Sequence, residues 1–154
     1  MTAIGTDRIE KDVFIRAPRA RVWRALSDPT QFSEWFGVKV DTPFTPGAHV
    51  RGAVTHPGYE HLTFDIVIDQ VVPERLISWR WHPHPIDTST DYSVEPTTLV
   101  VFEIEDAPGG TRVKVVESGF DRIPMTRRFE AYRGNEEGWT GQMTSIERYV
   151  ATHS

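Results

Sequence analysis

Residues 125–150 read MTRRFEAYRGNEEGWTGQMTSIERYV. Met125, Phe129, Tyr132, Glu136, Trp139, Met143, Ile146 and Val150 step by four and three residues without a break, so they share one face of a helix. A helix with so bulky a face needs an apolar surface to lie on. Gly134, Gly138 and Gly141 each cost a helix about 1 kcal/mol relative to Ala. One long helix is the simplest reading, with a helix kinked or restarted near Asn135 as the alternative.

The surface it needs lies upstream. From Arg8 to Arg16, Ile9, Val13 and Ile15 alternate with charged residues apart from Phe14, the pattern of a half-buried strand. Ala17 and Pro18 end it, and Val22, Trp23 and Leu26 recur at helical spacing after a proline suited to a first helical turn. Asp28 is placed to cap a second short helix toward Trp35 and Phe36. Then come strand candidates at Gly47 to His56, Leu62 to Asp69, Leu76 to His82, Thr98 to Glu105 and Thr111 to Ser118. Ala107, Pro108, Gly109 and Gly110 join the last two as a hairpin, and Pro83 to Pro96 reads as a long loop. An antiparallel sheet with one apolar face, covered by the C-terminal helix, accounts for this order.

The chain has 154 residues, room for one domain over residues 1–154. Lys plus Arg is 17 against 22 for Asp plus Glu, a formal charge of −5, which argues against nucleic acid and against an anionic membrane surface. The absence of cysteine excludes disulfides, thiolate metal sites and a Cys nucleophile. Met1 to Asp12 has neither a basic nor an apolar leader, and no apolar run approaches a membrane span, so a cytoplasmic location is expected. Five Trp and eight Phe point to an aromatic core, one not completely filled.

The order of elements and several local motifs resemble the START-like (SRPBCC) superfamily, and within it the family similar to the C-terminal domain of the activator of Hsp90 ATPase. The matching pieces are Ala17, Pro18 and Val22 to Leu26, Asp28 and Pro29, Trp35 and Phe36. They continue with Pro73 to Leu76 before the strand of Trp79, Gly110 and Thr111, Glu117 to Phe120, and Gly138, Trp139, Met143, Ile146 and Tyr149. The resemblance runs from about Ile9 to Val150. It implies an α+β helix-grip fold: a curved antiparallel sheet of about six to seven strands wrapped around a long C-terminal helix, with two short helices after the first strand. It also implies a hydrophobic cavity between sheet and helix that holds an apolar small molecule. The family brings no shared catalytic residue, so the site must be argued from its own chemistry. The activator carries an additional N-terminal domain that this sequence lacks, which puts Hsp90 behind the small molecule among expected partners; a homodimer stays open.

Under that fold, Phe129, Tyr132, Trp139 and Met143 line the inner side of the helix, and Phe64, Trp79, Trp81 and Phe102 face them unless a bulge reverses strand parity at the tryptophans. Trp35, Phe36 and Phe120 complete the apolar wall. A stripe of this kind also serves as plain core. Glu117 follows Val113 and Val115 in apolar phase, and Glu136 lies between Tyr132 and Trp139, so two carboxylates converge on the same space. Buried carboxylates need partners, with Arg128, Arg133 and His82 at hand, or carry raised pKa values, as general acids and bases do. The competing reading leaves Glu117 in water at a strand end and Glu136 displaced by the break near Gly134. His82, His84 and Asp87 have a weak metal-ligand spacing, but stiffening prolines favour a solvated loop, so no metal and no cofactor are expected. Ligand binding is the leading function, with Trp35, Phe36, Phe64, Trp79, Trp81, His82, Phe102, Glu117, Phe120, Phe129, Tyr132, Glu136, Trp139 and Met143 as its residues. An acid/base enzyme of cyclase or hydrolase type in the same cavity is the alternative, and an Hsp90-activator-like interaction module is the third.

Overall fold

The computed structural model describes residues 8–83 and 91–153. The elements are β1 (Arg8–Ile15), α1 (Arg19–Ser27), α2 (Pro29–Phe36), β2 (Val38–Lys39), β3 (His49–Val54), β4 (Thr63–Val72), β5 (Leu76–Trp81), β6 (Thr98–Ala107), β7 (Gly110–Ser118) and α3 (Met125–Thr152). Single 3₁₀ turns occupy Tyr92–Val94 and Phe120–Arg122. The seven strands form one antiparallel sheet in the order β1-β7-β6-β5-β4-β3-β2. Only the first strand is out of sequence order, because α1 and α2 carry the chain from the β1 edge to the β2 edge.

Local chemistry explains the boundaries. Asp28 caps α2, its carboxylate accepting the Gln31 N–H at 3.2 Å, and Pro29 opens that helix. Gly37 ends it at φ +90°, a left-handed conformation that a side chain resists. The carbonyls left over in its last turn are met from α3: the Ser145 hydroxyl donates to Trp35 O at 2.6 Å and the Gln142 amide to Phe36 O at 2.9 Å. The β6–β7 hairpin turns at Pro108 and Gly109, the glycine at φ +86°.

Strand parity at Trp79 and Trp81 is regular. The register shift falls on β4, between Ile68 and Gln70. Ser78 on β5 satisfies that bulge, donating to Asp69 and accepting the Gln70 N–H, both at 3.1 Å, while itself buried. The helix α3 is continuous through Gly134, Gly138 and Gly141, which settles the choice between one helix and two. Its buried residues are Ala131, Trp139, Met143, Ile146 and Val150. Below Trp139 the expected stripe holds. Above it the inward face is rotated by one residue: Met125 and Phe129 are exposed, at 77% and 63%. Small Ala131, packed close, takes the place expected for a bulky neighbour.

Candidate functional site

Trp81 ends β5, Thr98 opens β6 and Glu117 is next to last on β7, so three neighbouring strands bring these side chains to one end of the sheet. All three have the inward parity of their strands. Asn135 and Trp139, one helical turn apart on α3, come down from above.

Glu117 is fully buried, and four neutral side chains donate to it. Oε2 accepts the Trp81 indole N–H at 2.7 Å and the Thr98 hydroxyl at 2.5 Å. Oε1 accepts the Trp139 indole N–H at 2.8 Å. The Asn135 amide nitrogen straddles both oxygens, at 2.9 Å and 3.1 Å. None of the ion pairs among the described residues includes Glu117. Burial therefore pushes its pKa up, and hydrogen bonds from Thr98, Trp81, Trp139 and Asn135 hold it back.

The rings around this carboxylate are continuous. Trp81 lies 5.8 Å from Trp139, Phe36 lies 6.4 Å from Trp81 and 6.1 Å from Trp139, and Trp79 lies 4.8 Å from Trp81. Phe64, Phe102 and Trp35 extend the cluster along the sheet and α2. Phe36 and Trp81 are half-buried while Trp79, Phe102 and Trp139 are closed off, so the first two form the approach from solvent. The rings lie in mutual contact. Two clefts lie elsewhere: one of about 790 Å³ on the charged strand face of Glu10, Asp12, Glu103 and Arg112, and one of about 410 Å³ near Arg16 and Gly109.

Several expected site residues are elsewhere. Phe129 faces solvent, with the Arg133 guanidinium over its ring. Glu136 is half-buried but paired with Lys11 at 3.5 Å, so it does not join Glu117. Asn135, one residue earlier, takes the inward place. Arg133 pairs with Glu137, and Arg128 donates to the carbonyls of Asp121 and Ile123, so neither serves a buried carboxylate. Phe120 and Tyr132 stack edge to face at 5.3 Å as a separate pair, and the Tyr132 hydroxyl donates to Arg8 O. Met143 is buried on the inner face of α3. His82 is half-buried with Nε2 at 3.1 Å from the Glu95 carbonyl. His84 and Asp87, the other members of the weak metal spacing, lie outside the described residues; among those described, no group of three or more His, Asp or Glu could hold a metal ion.

Thr98, Asn135 and Phe32 were not among the expected site residues. Thr98 had a usable signal, since it shares strand parity with Val100 and Phe102. Phe32, three and four residues before Trp35 and Phe36, packs against both and against Phe64 and Trp79.

The family model for Activator of Hsp90 ATPase homolog 1-like protein matches residues 16–151. No curated protein matches the chain. Among solved structures, DynU16, a protein of the dynemicin biosynthetic locus, is 26% identical with a TM-score of 0.74; the match covers 96% of this chain and 48% of that one, so this chain spans about half its length. A protein from Mesorhizobium loti is 24% identical over 96% of this chain and 98% of its own, with a TM-score of 0.75. The Aha1 dimer of Colwellia psychrerythraea, 16% identical over 94% and 96% with a TM-score of 0.70, shares the fold.

Proposed function

The chain belongs to the family of activator of Hsp90 ATPase homolog 1-like proteins, and on that premise we propose that it binds an apolar or aromatic small molecule between the sheet and α3, with Glu117 as the polar anchor. The observation that carries this reading is the buried carboxylate itself. A charge without a cation is an expensive thing to place among aromatic rings, and a well-packed apolar side chain would serve stability as well or better. Ligand sites have this composition: a mostly apolar wall with a few polar groups that fix orientation. Entry requires Trp81 and Phe36, the half-buried rings, to swing aside. DynU16, named for a biosynthetic locus, fits a small-molecule ligand.

Native mass spectrometry of freshly purified protein, beside a denatured sample and its organic extract, tests the reading. A non-covalent organic adduct lost on denaturation supports it. Protein at the apo mass that also ignores a panel of apolar ligands refutes it. A second reading, an acid/base enzyme, draws on one observation: burial raises the pKa of Glu117, the direction that makes a carboxyl group a better base and a longer-lived acid. It predicts that the extracted compound changes mass when incubated with wild-type protein and stays intact with Glu117→Gln.

A further inference from the structure

The chemistry around Glu117 narrows the ligand class, and the argument rests on the binding reading above. Three rings, Phe36, Trp81 and Trp139, lie pairwise 5.8–6.4 Å apart beside the carboxylate. Aromatic faces carry negative quadrupole charge and attract a cation; Trp81 and Trp139 turn their N–H edges to the carboxylate, so it is their faces beside it that would meet one. In its ionised form, which a cation beside it favours, the carboxylate adds a full negative charge, and its donors, two indoles, a hydroxyl and an amide, are all neutral. The ring faces and the ionised carboxylate thus favour positive charge, and no ion pair of the described residues supplies it to Glu117.

One donor is also placed as a stand-in. The Asn135 amide nitrogen bridges both carboxylate oxygens, at 2.9 Å and 3.1 Å, which is where an ammonium group would sit to use both. Trp139 and Thr98 are buried and the half-buried Trp81 holds one oxygen with a bulky ring packed on its neighbours, whereas Asn135 is half-buried on α3 beside Gly138, where an added Cβ would meet nothing within 4 Å. Asn135 is therefore the donor that an incoming group displaces with least disturbance.

We propose that the ligand is a protonated amine on an apolar or aromatic body, its ammonium replacing the Asn135 amide across Glu117 and its body lying against Trp81, Trp139 and Phe36. An anionic lipid or fatty acid is disfavoured by the same groups.

Octylamine, 1-octanol and octanoate share a chain and differ in head charge. Titrated into the wild-type protein at neutral pH and followed by tryptophan fluorescence, octylamine should bind about tenfold more tightly than octanol, with octanoate weakest; tenfold corresponds to about 1.4 kcal/mol. Asn135→Ala, which vacates the bridging place and suits a helix, should raise octylamine affinity several-fold and leave octanol unchanged. Glu117→Gln should abolish the preference; if that variant does not fold, the wild-type ranking and Asn135→Ala still decide. Equal binding of all three, or octanoate strongest, overturns the proposal while leaving the binding site intact. Failure of all three to bind, together with the apo mass in native spectra, overturns the binding reading as well.

Discussion

Glu117 is the residue on which the account turns, and glutamine does not replace it. Each carboxylate oxygen accepts an indole N–H, Oε2 from Trp81 and Oε1 from Trp139. Whichever oxygen becomes an amide NH₂ then opposes an indole donor, and a buried unmatched donor costs about 1–3 kcal/mol. Glu117→Gln should lose about that much in urea melts. The pH dependence has a definite sign. Because burial raises the folded pKa, the folded state holds this proton more tightly than the unfolded chain, whose value is about 4.3. The contribution of Glu117 to stability is therefore full below about pH 4.3 and declines as pH rises through the folded pKa. The deficit of Glu117→Gln relative to wild type should shrink as pH is raised from 4 to 8, and a deficit that grows would show that the four donors outweigh burial. The inward phase of Glu117 was legible, since it follows Val113 and Val115 on one strand. Its partners were not: Trp139 minus three is Glu136 and minus four is Asn135, both compatible with a 3.6-residue turn, and only packing against Ala131 selects the latter.

At the scale of elements, two glycine substitutions separate propensity from packing. Gly141 lies within α3, and a Cβ there would meet nothing within 4 Å, so Gly141→Ala should raise stability by about 1 kcal/mol. Gly110 opens β7, and a Cβ there would come within 2.1 Å of Ile15 O. Gly110→Ala should loosen the β1–β7 pairing and lose about 1–3 kcal/mol, the usual range for an overpacked site. Thermal melts of both variants check the contrast; a stable Gly110→Ala would contradict the described approach of the two strands. Strands and helices were largely readable from alternation and caps, Asp28 included. One long helix was the simplest reading of α3 and holds, although three glycines weaken its local signal, because the apolar face of the sheet restores it.

For the whole molecule, the aromatic wall was visible in composition and phase, and the seven-stranded sheet under a long helix follows the expected helix-grip plan. How the wall is filled was not visible, because a rotation of α3 by one residue sends Phe129 outward and a few side-chain volumes decide whether rings touch. No described helix is long and apolar enough to cross a membrane. Trp139 joins the two halves, packing on Phe102 and Trp81 of the sheet while its indole holds Glu117. Trp139→Ala should cost about 3–5 kcal/mol and lower ligand affinity together; a variant that melts and binds like wild type would remove Trp139 from the wall.

The five tryptophans supply separate indole N–H signals in a nitrogen-15 spectrum. Titration with whichever of octylamine, octanol and octanoate binds most tightly should shift the signals of Trp81 and Trp139, which share Glu117, together with the Asn135 amide, and leave Trp23 on α1 in place. Saturable binding that moves Trp23 or the charged strand face and leaves Trp81, Trp139 and Asn135 unmoved would contradict the account.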